Sequence, residues 1–229
     1  MPYGYRGRMG TYAAVVLAGG AARRMGGLDK PALPVGGRPM RDRVLAAVTD
    51  ASPRVLVGPA DDVPGDVRVT REDPPGGGPV AATAAGLALL DPDTPLVALL
   101  AADLPLLTRA AIGELLTHLD LPVRARPSTP GNPAGPPGAT PLERAPDGAC
   151  FVDGDGRRQS LCGVWRIAAL RAGLDRLAAE RGGSLAGAPV RALLAGLVVR
   201  EVPWSGDGPP PWFDCDTDED VRRAEEWAR

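Results

Sequence analysis

The sequence has little of several features that define large classes of protein. Its 229 residues contain one histidine, and aromatic residues make up 4% of the chain. The 26 Lys+Arg and 28 Asp+Glu residues leave a formal net charge of −2, so no strong electrostatic field attracts nucleic acid or an anionic membrane. We therefore expect neither among the partners, and any phosphate recognition must be local.

Cysteines and long apolar runs are also scarce. The three cysteines, Cys150, Cys162 and Cys215, show no CxxC spacing, which argues against a zinc site or a disulfide framework and favours buried free thiols. No apolar run is long enough to span a bilayer, and the polar, glycine-rich start does not resemble a signal peptide. The sequence predicts a cytoplasmic protein with a flexible tail over residues 1–11.

What the sequence does contain is an alternation of short apolar runs and helical patterns. The runs YAAVVLA (12–18), RVLVG (54–58) and PLVALLAAD (95–103) are typical of strands buried on both faces. Between them, apolar residues fall at helical spacing. This alternation predicts an α/β fold with a mostly parallel sheet covered by helices. We expect a single domain over residues 12–229.

The C-terminal half departs from this alternation in two ways. Residues 122–147 lose periodicity and concentrate Pro, Gly, Ser and Thr, which predicts a disordered insertion. GACFVD (148–153) and LCGVWR (161–166) are predicted to pair as a hairpin around a DGDGRR turn. The last helix is predicted to start at Thr217, which three acidic residues follow.

The most distinctive stretch is VVLAGGAARRMGGLDK, residues 15–30. Gly19 and Gly20 allow main-chain N–H groups to approach an anion closely, and Arg24 and Lys30 add positive charge. By itself, this pattern is equally consistent with an ordinary turn and a solvated basic flank. It is neither a Walker loop nor a GxGxxG turn.

LAGGAARRMGGLDK resembles the L-A-G-G-x-(S/A)-x-R-M-G-x-x-D-K signature of the nucleotidyltransferase family that includes molybdenum cofactor guanylyltransferase (molybdopterin-guanine dinucleotide synthesis protein A). Later positions agree with this resemblance. Asp73 precedes a Gly-Pro-Val-Ala segment, Asp103 follows the central strand, and DCDTDED near the end contains Asp214 and Asp216. Two departures, QSL for the family's Q-P-L and Asp218 for its proline, put the shape of the acceptor loop in doubt.

The resemblance implies transfer of GMP from GTP to molybdopterin with release of pyrophosphate, dependent on Mg²⁺, in a three-layer α/β/α Rossmann-like nucleotidyltransferase fold. It implies catalytic roles for Arg24, Lys30 and Asp103, and metal binding by Asp103 and Asp216, with Asp214 as the alternative second ligand. Cofactor-biosynthesis proteins and molybdoenzyme chaperones are further candidate partners. The implied nucleotide-binding residues are Leu17, Ala18, Gly19, Gly20, Arg24, Lys30, Asp73, Gly78 and Asp103.

Alternatives stay open at this point. Arg157, Arg158 and Gln159 are candidates for binding the acceptor, but they fit plain turn residues equally well. Asp103 and Asp216 could be a strand-end and a helix-start aspartate. A cytidylyl relative, GMP transfer to another small phosphate, a sugar-1-phosphate nucleotidyltransferase and a catalytically inert nucleotide-binding or partner-docking module are the competing functions.

Overall fold

The structure, a computed structural model, describes residues 12–19, 30–59, 63–120 and 145–229. A 3-10 helix covers Lys30–Ala32. None of the helices in these ranges combines the length and the hydropathy that a bilayer span requires. The strands of these ranges are β1 (Tyr12–Leu17), β2 (Pro34–Val35), β3 (Arg38–Pro39), β4 (Arg54–Val57), β5 (Val67–Thr70), β6 (Leu96–Ala101), β7 (Gly148–Val152), β8 (Arg158–Arg166) and β9 (Val199–Pro203). The α-helices are α1 (Met40–Ala47), α2 (Pro79–Ala88), α3 (Arg109–Asp120), α4 (Ile167–Glu180), α5 (Val190–Leu193) and α6 (Asp218–Trp227).

Seven of these strands form one sheet in the order β5, β4, β1, β6, β8, β7, β9. The pairs β6–β8 and β7–β8 are antiparallel and the other neighbours are parallel, so β8 runs against the rest of the sheet. The predicted α/β class with a mostly parallel sheet is confirmed. Because parallel strands bring their carboxyl ends to one edge, the residues that follow β1, β4, β5 and β6 meet there.

Strand β1 shows how the sheet is covered on both faces. All six of its residues are buried, and successive side chains of a strand point to opposite faces. Ala14 and Val16 belong to the apolar cluster that includes residues of α1 and α3. Ala13 and Val15 belong to the cluster that includes residues of α2 and α4. Two layers of helices therefore enclose the sheet, as expected for three layers.

The predicted hairpin is present as the antiparallel pair β7–β8. Its turn is organised by Asp153, whose Oδ1 accepts hydrogen bonds from the backbone N–H groups of Asp155 (3.1 Å) and Arg157 (2.8 Å). β9 then adds in parallel to the outer side of β7. The hairpin thus joins the sheet through β8, which pairs antiparallel with β6 on one side and with β7 on the other.

Two predicted segments lie wholly or mostly outside the described residues. These are the tail at 1–11 and residues 122–144 of the predicted insertion at 122–147. The last three residues of that insertion are described, and Asp147 is buried. Its N–H donates to the carbonyl of Val198 (2.7 Å), and its Oδ2 accepts from the N–H of Val198 (2.8 Å). Asp147 therefore belongs to the folded domain.

The terminal helix begins where the sequence predicts. Thr217 is the N-cap of α6: its hydroxyl accepts from the N–H of Asp220, whose carboxylate accepts from the N–H of Thr217, a capping box. Hydrogen bonding to Thr217 also lowers the pKa of Asp220. The cap fixes the direction of the chain just before α6, where Asp216 lies.

Candidate functional site

Lys30 is the centre of the candidate site. It begins the 3-10 helix and is 6% exposed. Its Nζ donates to Oδ2 of Asp103 and to Oδ1 of Asp216, both at 2.7 Å. Asp103 and Asp216 are 73 and 186 residues away along the chain, so the fold, and not local sequence, brings the three groups together. We call these three residues the Lys30 cluster.

The two carboxylates reach Lys30 from separate elements. Asp103 follows β6 at the carboxyl edge of the sheet, and Asp216 immediately precedes the cap of α6. The segments are also joined through the backbone, because the N–H of Cys215 donates to the carbonyl of Asp103 (3.3 Å). The Asp103 side chain is 24% exposed and that of Asp216 is 74% exposed. The cluster therefore has a closed side at Lys30 and an open side at Asp216.

The electrostatics of the cluster keep Lys30 charged. Burial disfavours the ammonium, but the hydrogen bonds to Asp103 and Asp216 outweigh it, so the pKa of Lys30 lies above its ordinary value. Asp214 is exposed as a residue, yet crowding around its carboxylate and then the charge of Asp216 raise its pKa. The site is thus a protonated lysine near three carboxylates, those of Asp103, Asp214 and Asp216.

The end of β1 forms the neighbouring part of this edge. The carbonyl of Leu17 accepts from the N–H of Ala102, and the N–H of Ala18 donates to the carbonyl of Val57. Gly58, at φ +140°, packs against this exit so closely that a Cβ there would lie 2.7 Å from the backbone of Ala18 and Gly19. These contacts fix the start of the predicted phosphate-binding turn. Gly20 and Arg24, which were assigned to the same turn, lie outside the described residues.

The loop between β5 and α2 contains a buried carboxylate, Glu72, that the sequence did not single out. Asp73, the predicted nucleotide contact, is exposed, whereas its neighbour Glu72 is 7% exposed. Both carboxylate oxygens of Glu72 lie 3.2 Å from the position that a Cβ on Gly19 would occupy. The sequence offers no signal that separates the two acids, because they lie beyond the end of β5 and no strand period applies. Gly78, also predicted, caps α2 at φ +88°.

Residues 14–196, most of the chain, match the family model described as a MobA-like NTP transferase domain. The chain belongs to this family. The matched range includes the opening signature, Asp73 and Asp103, and it ends before Asp214 and Asp216.

Individual relatives agree with this membership. A Haloferax mediterranei protein named probable molybdenum cofactor guanylyltransferase is 36% identical over 102 residues, which cover 37% of this chain and 49% of the relative. The match thus spans about half the length of that relative.

Solved structures agree in fold. Molybdopterin-guanine dinucleotide biosynthesis protein A from Archaeoglobus fulgidus aligns with a TM-score of 0.62 and 18% identity, over 93% of this chain and 97% of that one. The 2-C-methyl-D-erythritol 4-phosphate cytidylyltransferase of Thermus thermophilus aligns with a TM-score of 0.58 and 20% identity, over 95% and 98%. The MobA-like domain shares its fold with proteins named for different nucleotides, so the fold does not select the base.

The carboxylates of the MobA-like domain can be tested as a Mg²⁺ site. Among the residues that the structure describes, no three His, Cys, Asp or Glu side chains converge as a metal site. Asp103 and Asp216 do converge on one point, the Nζ of Lys30. Mg²⁺ in phosphate-transfer sites takes one or two carboxylates and completes its shell with phosphate oxygens and water. The donor set fits the ion, and the Mg²⁺ site stays a prediction.

The predicted acceptor residues make their hydrogen bonds elsewhere. Arg158 Nε donates to Oε1 of Glu201 on β9 (2.9 Å). Gln159 Nε2 donates to Oδ2 of Asp153 (3.1 Å) and to the carbonyl of Arg157 (3.4 Å). In the described part of the chain, none of these bonds reaches the Lys30 cluster. The geometry assigns them to holding the hairpin, and a role in acceptor binding stays a prediction.

Other side chains singled out by composition are structural. Trp204 and Trp212 both pack on Phe151. Their ring centroids lie 5.5 Å and 5.3 Å, respectively, from that of Phe151. All three cysteines are free and buried, as predicted, and burial raises the pKa of the Cys150 thiol to about 11. None of these groups is poised for nucleophilic chemistry.

Proposed function

We propose that this MobA-like domain transfers GMP from GTP to the phosphate of molybdopterin and releases pyrophosphate. The observation that carries the proposal is the convergence of Lys30, Asp103 and Asp216 at the carboxyl edge of a parallel sheet, where nucleotides bind in open α/β folds. The name of the Haloferax mediterranei relative supports guanine as the base and molybdenum cofactor as the acceptor. A cytoplasmic location is part of the same proposal.

The reaction needs no protein nucleophile. An oxygen of the acceptor phosphate attacks the α-phosphorus of GTP, the bond to the β-phosphate oxygen breaks, and pyrophosphate leaves with the electron pair. Both partners are anions, so the chain's task is to align them and offset their repulsion. Asp103 and Asp216 would hold Mg²⁺, which when bound screens phosphate charge and polarises phosphoryl oxygens.

Among the residues that the structure describes, Lys30 supplies the positive charge of the Lys30 cluster. Because its pKa lies above the ordinary value, it is protonated at neutral pH and donates hydrogen bonds to anions throughout the reaction. We assign it to the charge that builds on the leaving pyrophosphate, together with Arg24. The backbone at Leu17, Ala18 and Gly19 positions the nucleotide beside it.

Pyrophosphate release tests the proposal. GTP, CTP, ATP and UTP are each supplied with Mg²⁺, with and without molybdopterin, to the wild type, Asp103→Ala and the control Asp175→Asn. Asp175 is an exposed carboxylate of α4. We expect release that requires GTP and molybdopterin together, a loss of about 10²- to 10³-fold in Asp103→Ala, and little change in the control.

Each competing function gives a different result. Equal or greater release with CTP supports the cytidylyl relative. Release from GTP that requires another phosphate, including a sugar 1-phosphate, identifies a different acceptor. Binding of GTP with no release under any condition supports the inert module and overturns the proposal.

A further inference from the structure

One ammonium bonds both carboxylates of the Lys30 cluster. The Nζ of Lys30 donates to Oδ2 of Asp103 and to Oδ1 of Asp216, each at 2.7 Å. These oxygens belong to the two side chains that would hold Mg²⁺. A divalent ion and the ammonium therefore compete for the same ligands. An ion on the remaining carboxylate oxygens would still lie close enough to the ammonium for strong repulsion.

The two cations reach the carboxylates from different sides. Lys30 is 6% exposed, whereas the side chain of Asp103 is 24% exposed and that of Asp216 is 74% exposed. An ion from solvent approaches from the open side at Asp216, while Lys30 holds the closed side. The carboxylates can be reached, so the ammonium, and not a closed path, opposes the ion.

Lys30 needs a new partner before it can leave the carboxylates. A buried ammonium is costly unless acceptors satisfy it, and in the described ranges Lys30 forms ion pairs with Asp103 and Asp216 and with no other residue. A divalent ion alone offers it no acceptor. The phosphates of a nucleotide are anionic and do offer one, and the flexible four-carbon stem of lysine lets the ammonium turn toward them.

We infer that Lys30 is a place-holding cation: it occupies the carboxylates of Asp103 and Asp216 until a nucleotide phosphate accepts its ammonium, and only then does a divalent ion bind them. The inference rests on the proposed function, since it assumes that a nucleotide and Mg²⁺ bind at this edge of the sheet. The exchange moves a charged side chain and transfers no proton. Nucleotide and ion then raise each other's affinity by the same factor.

Mn²⁺ binding without nucleotide tests the inference, because Mn²⁺ takes the same oxygen ligands as Mg²⁺ and electron paramagnetic resonance reports the free ion. The proteins are the wild type, Lys30→Met, the double variant Lys30→Met/Asp103→Asn and the control Arg191→Met, which removes the charge of an exposed arginine of α5. We expect Lys30→Met to bind Mn²⁺ about 5- to 150-fold more tightly than the wild type, the usual range of coupling between two ligands. The double variant should lose this gain, and the control should match the wild type.

A second measurement uses the wild type alone, so it does not depend on the folding of a variant. Lys30 is the only lysine of the chain, so protein grown with lysine carrying ¹³C at Cε gives one lysine signal in a nuclear magnetic resonance spectrum. We expect Mg²⁺ alone to leave this signal in place and GTP with Mg²⁺ to shift it. An equal shift with Mg²⁺ alone, or no shift with GTP and Mg²⁺ together, would overturn the inference.

The outcomes separate this inference from the proposed function. Equal Mn²⁺ affinity in the wild type and Lys30→Met overturns the inference, because the ammonium then does not oppose the ion. A gain that persists in the double variant also overturns it, because the ion then binds elsewhere. In both cases GTP-specific, acceptor-dependent pyrophosphate release would leave the proposed function standing. Absence of that release with the exchange intact would instead remove the proposed reaction and leave the inference standing.

Discussion

The Lys30 cluster and the β7–β8 turn are two of the places where charged or polar side chains meet in this domain, and they differ in how their residues come together. In the turn, Asp153 bonds groups two and four residues away, at the surface. In the cluster, a buried ammonium joins carboxylates 73 and 186 residues distant. The turn residues stabilise their own loop, whereas pairing a buried lysine with two distant carboxylates at a sheet edge has no such local purpose. Charge brought together over long sequence distances is therefore the better indicator of a functional site.

The largest effect on activity is expected when the cation of the Lys30 cluster is removed. Lys30→Met leaves two carboxylates without their shared partner, and we expect the rate of pyrophosphate release to fall about 10²- to 10³-fold. Lys30→Arg should restore little of it, because a planar guanidinium does not replace a compact ammonium that donates to two sites at 2.7 Å. Steady-state release under saturating GTP measures both variants.

Lys30 is also the only lysine in the chain. Reductive methylation followed by mass spectrometry therefore reports directly on this one side chain and on the α-amine. We expect GTP with Mg²⁺ to slow labelling at Lys30 and not at the α-amine. Equal labelling in the presence and absence of nucleotide, with nucleotide bound, would contradict the placement of Lys30 beside the phosphates.

A smaller effect is expected at the cap that holds Asp216 in place. Thr217→Ala removes the N-cap hydroxyl, and we expect a loss of about 1 kcal/mol in the free energy of unfolding. Thr217→Ser keeps the hydroxyl and serves as the control. Denaturant unfolding at neutral pH measures the difference.

The pH dependence of this cap has a definite sign. The pKa of Asp220 lies below its ordinary 3.8 in the folded protein, so its contribution is present above that ordinary value and is lost as the pH falls through the lowered one. The difference between wild type and Thr217→Ala should therefore shrink in strong acid. A difference that grows as the pH falls would contradict this sign.

The smallest effect is expected in the hairpin. Arg158 and Glu201 form an ion pair with side chains 43% and 37% exposed, and exposed pairs contribute about 0.2–1 kcal/mol. Arg158→Ala should lower the free energy of unfolding by no more than that amount. The KM for molybdopterin, measured on the same variant, tests the role in acceptor binding that the sequence resemblance implies for this segment. A large rise in this KM would show that Arg158 binds the acceptor in addition to stabilising the hairpin.

Much of the fold could be predicted because its signals are local. The buried run that forms β1, the hairpin and the helix start at Thr217 each depend on a few neighbouring residues. The structure agrees with these three predictions because burial on both faces, turn chemistry and capping all operate over short distances along the chain. Residue types in the Lys30 cluster could also be named from the signature, although their mutual contact could not be derived from spacing.

Glu72 and Asp73 differ in burial in a way that the sequence does not predict. Two adjacent acids in an irregular loop have equal chemistry and no period to separate them. Which one turns inward depends on the backbone path between β5 and α2 and on the space that Gly19 leaves open.

The sequence by itself determined which segments become buried strands, where the last helix begins and which family the chain resembles, because these depend on side-chain polarity, short-range bonding and the residue types of the opening signature. Only the tertiary structure decided that Lys30 lies between Asp103 and Asp216 and that Glu72 faces Gly19. Those contacts join residues far apart in the chain. The strand order of the sheet brings Asp103, Glu72 and Gly19 to one edge, where β1, β5 and β6 end, and the chain that leads into α6 brings Asp216 there.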